Sequence, residues 1–245
     1  MIVDCFTFCD EFDMLEARLT ELGDVVDRFV LVEAAETFTG KPKPLHYANN
    51  RERYARWSDK ILNLTATLPP GDPWAREAAQ REAMSAAGDM LGWEADDTII
   101  LSDVDEIWHP ALPVTEMPEP YTVLVLKMYV HHFGWVHPTP WDGPVVTKVR
   151  NLPPAEIGTW QTLRSVRLHP RPQRFHGAGW HLSWFGGADA AERKLHAFSH
   201  TEYADVDMLA AAVDGRHIDG TELVPVEHTV DVPRFAHKVP HWWPS

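Results

Sequence analysis

Short apolar runs alternate with amphipathic segments along the first hundred residues of the chain. Rich in Val, Ile, Leu and Phe and of strand length, these runs predict strands at residues 1–8, 28–33, 60–68 and 98–101. Between them, helical spacing and strong helix formers predict helices at residues 14–22 and 74–91, each followed by a glycine. This alternation predicts an α/β fold with a mostly parallel sheet, flanked by helices, that binds ligands at the carboxyl ends of its strands.

The second half of the chain has a different character, because proline, tryptophan and histidine interrupt its patterns. One clear strand is predicted at residues 121–130, and two helices at residues 189–198 and 206–213. No internal repeat or low-complexity linker separates this half from the first. We therefore expect one domain over the whole chain, with a Rossmann-like half, residues 1–110, and an irregular half, residues 111–245.

Charge excludes one broad class of function. The chain has 22 Lys and Arg against 36 Asp and Glu, which gives a net charge of −14. A surface that binds nucleic acid needs the opposite sign, so we expect no nucleic-acid partner. A polyanionic ligand must be met locally, by a metal ion or a few arginines.

The first residues of the chain and its two cysteines indicate the cellular compartment in which we expect the protein. The first residues contain no basic region, and Asp4 interrupts an apolar stretch that is too short for a signal peptide or a membrane span. The two cysteines, Cys5 and Cys9, have the spacing of neither a disulfide framework nor a zinc site. We therefore expect a cytoplasmic protein without an integral membrane segment.

An Asp-x-Asp motif, Asp103 and Asp105, follows the fourth predicted strand. Side chains two apart in a strand point to the same side, so both carboxylates can face one hard cation such as Mn²⁺ or Mg²⁺. The same tripeptide at Asp205 and Asp207 precedes an apolar helical run, which predicts N-cap and first-turn residues instead. Strand context therefore favours the first pair as the functional one.

Several stretches, in order along the chain, share their residues with a known family. They include Ile-Ile-Leu-Ser-Asp-Val-Asp-Glu-Ile at residues 99–107 and Gly-Trp-His-Leu-Ser-Trp at residues 179–184, together with residues 11–27 and 39–45. On these stretches the chain resembles glycosyltransferase family 17. The resemblance implies a GT-A fold, a UDP-sugar donor such as UDP-GlcNAc, Mn²⁺ or Mg²⁺, inversion at the anomeric carbon and a carbohydrate acceptor. It makes the first half the nucleotide-sugar side and the second the acceptor side.

Five further residues are expected at the donor site. Asp4, Phe6 and Glu33 stand toward the carboxyl ends of the first two predicted strands, the ligand-binding edge of such sheets. Arg81, on the helix before the fourth strand, either reaches donor phosphates, holds an aspartate in place or is a solvent-facing charge. His181 completes the metal shell if the resemblance holds, and is otherwise an ordinary packed histidine.

The acceptor side offers its own candidates. An inverting transfer needs a general base for the acceptor hydroxyl, and Asp142, Glu202 and Asp189 are candidates that are otherwise surface carboxylates. On the donor side, Lys41 and Lys43 either contact phosphate or keep a proline-rich loop soluble. Tryptophan faces suit sugar rings, although most tryptophans pack in cores. The tryptophans expected to shape the acceptor cleft are Trp135, Trp141, Trp180 and Trp184.

Two other functions stay open on the sequence. Nucleotidyltransferases that make nucleotide sugars use a related fold, but they usually carry a Gly-rich phosphate loop after the first strand, and none follows Phe8. A non-catalytic carbohydrate-binding protein would suit the eleven tryptophans, but such proteins are typically all-β. Glycosyl transfer agrees with more of the sequence than either alternative.

Overall fold

A computed structural model describes residues 1–226 and 231–244, and its strands form one ten-stranded sheet. The strands are β1 (Ile2–Thr7), β2 (Arg28–Ala34), β3 (Ile61–Ala66), β4 (Thr98–Asp103), β5 (Glu106–Trp108), β6 (Tyr121–Val130), β7 (His132–Val136), β8 (Trp141–Lys148), β9 (Gln173–Ser183) and β10 (Val224–Pro225). The helices are α1 (Phe12–Leu22), α2 (His46–Asn49), α3 (Pro73–Glu82), α4 (Ala86–Leu91), α5 (Thr159–Ser165), α6 (Ala188–Ala197) and α7 (Met208–Val213).

The sheet is parallel in its first half and mixed in its second. β3, β2, β1 and β4 lie side by side in that order and run parallel. β8 is antiparallel to β4, and β6 is antiparallel to β8, so β6 again runs in the direction of β4. β9 pairs in parallel with β6, while β7 and β10 extend the sheet on the other edge of β6. The predicted α/β fold class is confirmed, with helices on both faces of the parallel strands.

The sequence pattern does not predict β7, β8 and β9, because glycine and proline interrupt their alternation. In β9, Gly177 and Gly179 have φ angles of 67° and 142°, and the pairing of β9 with β6 shifts register between Val125 and Lys127. A Cβ atom on Gly179 would lie 2.3 Å from the carbonyl oxygen of Ile107. Only glycine therefore lets β9 approach β5 this closely.

Two hydrophobic cores cover the two faces of the parallel strands, because successive strand residues point to opposite faces. Phe6 and Phe29 pack with helix α1 on one face. Val3 and Val30 pack with α4 and α5 on the other. A third, smaller core joins the end of β6 to α6 and α7. Hydrophobic cores on both faces of the sheet therefore hold in place the edge at which its parallel strands end.

The two helices predicted in the second half are confirmed as α6 and α7. Asp207 caps α7, since its side chain accepts a hydrogen bond of 2.9 Å from the backbone N–H of Ala210. The Asp-x-Asp copy at Asp205 and Asp207 is therefore a helix start, as predicted. Among the helices of residues 1–226 and 231–244, none combines the length and the apolar character that a membrane span requires.

Helix α1 carries a buried charge into the first core. Arg18 and Asp4 are both fully buried, and the Arg18 Nε and Nη2 atoms lie 2.7 and 2.6 Å from the two Asp4 carboxylate oxygens. The same guanidinium donates to the carbonyls of Asp103 at 3.0 Å and Glu106 at 2.8 Å. The pair thereby ties α1 to β1 and to the turn after β4.

Asp4→Ala tests this buried pair. The change leaves Arg18 charged and buried, so we expect the free energy of unfolding in urea to fall by about 3–5 kcal/mol. Asp13→Ala is the matched control, because it breaks the exposed pair of Asp13 with Arg53 and should cost less than about 1 kcal/mol. Equal losses in the two variants would contradict the structural role of the buried pair.

Candidate active site

The acidic motif lies in the turn between β4 and β5. Asp103 is the last residue of β4, and Glu106 is the first of β5. The backbone N–H of Asp103 donates to Glu106 Oε2 at 3.1 Å, and the N–H of Leu182 in β9 donates to the carbonyl of Asp105 at 2.9 Å. Asp103 and Asp105 therefore lie at the carboxyl edge of the parallel strands, held from both halves of the chain.

A cleft of about 580 Å³ opens at this edge. Small-molecule and cofactor sites have volumes of roughly 300–1,000 Å³, so the cleft is large enough for a nucleotide sugar. The ends of β1 and β4, strand β9 and helices α3, α5 and α6 contribute to its lining. Asp103 and Asp105 both face it.

Asp103 is surrounded by arginines. Arg81 Nη2 lies 3.1 Å from Asp103 Oδ1, and Arg164 Nη2 lies 2.7 Å from Oδ2. Arg164 also holds both oxygens of the buried Glu106, at 2.6 and 2.9 Å. Burial alone would raise the pKa of Asp103, but Arg164, Arg81 and Arg167 outweigh it and hold that pKa well below its usual range. Asp103 is therefore ionised and already balanced in charge.

Asp105 has a different environment. Lys194 Nζ in α6 lies 2.7 Å from Asp105 Oδ2, while His181 Nε2 in β9 lies 3.7 Å from Oδ1. Burial opposes ionisation, yet Lys194 and then His181 keep the pKa of Asp105 well below its usual range. The ring of Trp141 lies 4.6 Å from that of His181, centroid to centroid, and covers it. Asp105 and His181 thus face each other on the cleft wall.

The two aspartates differ in how well they suit a divalent cation. The distance of 3.7 Å between Asp105 Oδ1 and His181 Nε2 is too long for a hydrogen bond, but two ligands of one cation can be up to about 4.2 Å apart. A carboxylate oxygen and an imidazole nitrogen are suitable donors for Mn²⁺. Guanidinium groups hold both oxygens of Asp103, whereas Lys194 holds Oδ2 of Asp105 and Oδ1 faces His181. Asp105 Oδ1 and His181 Nε2 are therefore the better-placed pair of donors for a cation.

Two cationic side chains face the cleft without a carboxylate partner in the described chain. Lys43 Nζ is buried and has no hydrogen-bond partner there. Arg167 donates to the carbonyl of Asp142 at 3.1 Å and lies over the ring of Trp141. Burial and the neighbouring Arg164 lower the pKa of Arg167 to about 10. An anion in the cleft would relieve both unbalanced charges.

Three residues expected at the donor site lie outside the cleft. Asp4 is taken up by its buried ion pair with α1, and Phe6 is a core residue beneath that pair. The Glu33 carboxylate is fully buried and accepts hydrogen bonds from the backbone N–H groups of Tyr47 at 3.0 Å and Ala48 at 2.9 Å. The structure gives each of these side chains a role in the fold behind the ligand-binding edge.

The four tryptophans expected on the acceptor side separate into two groups. Trp141 and Trp184 line the cleft. Trp180 is buried, and its Nε1 donates to the carbonyl and the carboxylate of Asp231 at 3.1 and 3.0 Å. Trp135 lies on β7 outside the cleft and packs against the third core. Trp180 and Trp135 therefore pack in the cores and do not line the cleft.

The three carboxylates expected as general base also lie outside the cleft. Asp142 Oδ2 pairs with Arg174 Nη2 at 2.8 Å. Glu202 is exposed, and its hydrogen bond with His200 Nδ1 at 2.6 Å lowers its pKa. Asp189 is exposed in the first turn of α6. A general base must reach the proton that it removes, and none of these three carboxylates lines the cleft as it stands.

Sequence reasoning misses two residues at the centre of the site, Arg164 and Lys194. Arg164 contacts Asp103 across 61 residues of sequence, and Lys194 contacts Asp105 across 89. Arg164 also lies between residues 110 and 170, which resemble the family least. Because charged helix residues are typical of solvent-facing surfaces, neither carries a local signal that would distinguish it.

The α/β sheet, the acidic turn at its carboxyl edge and the cation-lined cleft are typical of enzymes that bind phosphate esters of nucleotides. Within that class, residues 1–213 match the model of glycosyltransferase family 17, and the chain belongs to this family. Its helices and parallel strands are inconsistent with an all-β carbohydrate-binding module.

The similar curated proteins are mammalian. The chain is 33% identical over 147 residues to the beta-1,4-mannosyl-glycoprotein 4-beta-N-acetylglucosaminyltransferases of Rattus norvegicus and Homo sapiens. This match covers 56% of the chain but only 24% and 25% of those proteins, so the chain corresponds to about a quarter of their length. Among solved structures, 4-diphosphocytidyl-2C-methyl-D-erythritol synthase matches with a TM-score of 0.41 and 14% identity, over 72% of this chain and 88% of that one.

Cys9 offers a test of the cleft's electrostatics. Burial, and then the neighbouring Glu11, raise the pKa of Cys9 to about 12 although it lines the cleft. At pH 8 only about one thiol in ten thousand is then ionised, so we expect iodoacetamide to alkylate native Cys9 roughly a thousandfold more slowly than a free cysteine. Mass spectrometry measures the rate, with urea-unfolded protein as the control. Rapid labelling of native Cys9 at pH 8 would contradict the buried environment.

Proposed function

We propose that the protein is an inverting, metal-dependent glycosyltransferase of the GT-A type that transfers N-acetylglucosamine from UDP-GlcNAc to a carbohydrate acceptor. Family membership supports glycosyl transfer, and the names of the mammalian relatives support the choice of sugar. The observation that carries the proposal is the pair of cations, Lys43 and Arg167, without carboxylate partners in the described part of the cleft. A nucleoside diphosphate supplies the charge that balances them.

On this proposal the two halves of the single domain, residues 1–245, have separate tasks. Residues 1–110 hold the nucleotide at the carboxyl edge of the parallel strands, and residues 111–245 bind the acceptor. Trp141 and Trp184 give the cleft apolar walls on which a sugar ring can pack. The free thiols of Cys5 and Cys9 suit a reducing cytoplasm.

Asp105 and His181 would hold the divalent cation, Mn²⁺ or Mg²⁺. When bound, the cation neutralises negative charge on the departing diphosphate. Asp103 has a different task, because Arg81 and Arg164 already balance it. It keeps these two guanidinium groups fixed at the edge of the cleft. The charges are therefore in position before the donor arrives, which lowers the cost of rearranging them during the reaction.

Cationic side chains complete the donor site. Lys194 already pairs with Asp105, so it can stay close to a phosphate without carrying an unbalanced charge. Lys43 Nζ has no hydrogen-bond partner among the described residues, and Arg167 donates to a backbone carbonyl, so both can also donate to phosphate oxygens. Hydrogen bonds from these groups to phosphate oxygens strengthen as the bond between sugar and phosphate breaks and negative charge develops on the leaving group. The chain thus favours departure of the diphosphate.

Asp105→Asn tests the metal site against a control within the same sequence. We expect the variant to lose Mn²⁺-dependent binding of UDP by calorimetry and at least a hundredfold of its UDP-GlcNAc turnover, because one charged ligand is removed. Asp205→Asn changes the exposed copy of the motif and should leave both measurements unchanged. A screen of UDP-, GDP- and TDP-sugars should give release of UDP. Full activity of Asp105→Asn would refute the metal assignment.

Lys43→Met tests the unpaired cation. A charge-assisted hydrogen bond contributes about 1.5–3 kcal/mol, so we expect UDP affinity to fall about tenfold to a hundredfold. Lys41→Met, in the same loop but exposed, should change affinity less than twofold. Because methionine keeps the length of the apolar stem, a loss confined to the first variant reports on charge. Equal affinities of the two variants would count against a phosphate contact at Lys43.

A further inference from the structure

A second group of metal-ligand side chains lies at the wall of the cleft. His137, His217 and Asp219 each offer one ligand atom, and these atoms all lie within 4.8 Å of one another. His137 follows β7, while His217 and Asp219 lie in the turn between α7 and β10. His217 and Asp219 line the cleft. The cluster shares no residue with the site at Asp105 and His181.

The closest contact in this cluster does not have the geometry of a hydrogen bond. His217 Nδ1 lies 3.0 Å from Asp219 Oδ1, yet this buried nitrogen has no hydrogen-bond partner in residues 1–226 and 231–244. Two ligands of a tetrahedral zinc ion, each about 2.1 Å from it, are about 3.4 Å apart. The contact is therefore within about half an ångström of the spacing of two ligands that share such an ion.

Backbone groups hold two of the three side chains. His137 Nδ1 lies 3.0 Å from the carbonyl oxygen of Thr139 and 3.1 Å from the Thr139 backbone nitrogen, so the backbone of Thr139 fixes the ring and the tautomer decides which ring nitrogen is free as a ligand. Metal-binding histidines are commonly oriented by such a second contact. Asp219 Oδ1 accepts from the backbone N–H of Thr221 at 2.9 Å. A hydrogen bond of 2.9 Å from the Gly220 N–H to the His217 carbonyl closes the turn. The cluster is thus arranged before any ion binds.

We propose that His137, His217 and Asp219 form a second divalent-cation site, for a zinc-type ion. Two imidazole nitrogens and one carboxylate are the donor set of open zinc sites, which leave further positions for water or a ligand oxygen. The ion ties the turn before β10 to the end of β7 at the cleft wall.

Co²⁺ and Zn²⁺ test this site separately from the proposed reaction. Metal-free Asp105→Asn protein, in which the donor-side cation site is weakened, should bind one Co²⁺ per chain with visible absorption bands. In this Asp105→Asn background, a second substitution, either His137→Ala or Asp219→Asn, should weaken the affinity of the protein for Co²⁺ and Zn²⁺ at least tenfold. His176→Ala, an exposed histidine outside the cluster, is the matched control and should not change it.

Thermal unfolding keeps the test independent of folding defects. In EDTA the conservative Asp219→Asn variant should have the Tm of its parent, and Zn²⁺ should raise the Tm of the parent but not that of the variant. Equal Zn²⁺ stabilisation and equal Co²⁺ affinity with and without Asp219 and His137 would overturn the proposal. We expect Asp105→Asn to lose sugar transfer and to retain Co²⁺ binding. The proposed reaction and the proposed second cation site can therefore be refuted independently of each other.

Discussion

Buried charge at the end of β4 must be balanced by charge from distant parts of the chain. Asp103, Asp105 and Glu106 stand within four residues, and burial opposes ionisation of Asp103 and Asp105. Arg164 from α5 reaches Asp103 and Glu106, and Lys194 from α6 reaches Asp105. The irregular second half therefore packs against the parallel sheet at the turn after β4, because its cations complete that turn.

The same requirement prepares the cleft for its ligand. The carboxylates of the turn hold Arg81, Arg164 and Lys194 at the edge of the sheet, in a chain whose net charge is −14. Lys43 Nζ has no hydrogen-bond partner among the described residues and Arg167 donates to a backbone carbonyl, which suits the proposed diphosphate. Asp105 and His181 keep one carboxylate oxygen and one imidazole nitrogen for a cation. Structural pairing and ligand binding thus depend on the same few charges.

The sequence predicts the parts of this arrangement that local patterns control. Hydrophobic periodicity identifies β1 to β4, and parallel strands end at one edge, so Asp103 and Asp105 are expected where they lie. Which charged side chains pair with each other depends on the tertiary fold, and no local sequence pattern predicts it. From the sequence, Asp4 is expected at the ligand-binding edge of the sheet, but in the structure it pairs with Arg18. No local sequence pattern distinguishes Trp141 from Trp180. Only the tertiary packing of the second half puts Trp141 in the cleft and Trp180 in the core.

A crystal structure of the protein with UDP and Mn²⁺ tests the central claim most directly. We expect the diphosphate in the cleft, with its oxygens in contact with Lys43 and Arg167. We also expect Mn²⁺ on Asp105 and His181, while Asp103 keeps its arginine partners. Mn²⁺ bound to Asp103 with those arginines displaced, or UDP bound outside the cleft, would contradict that claim.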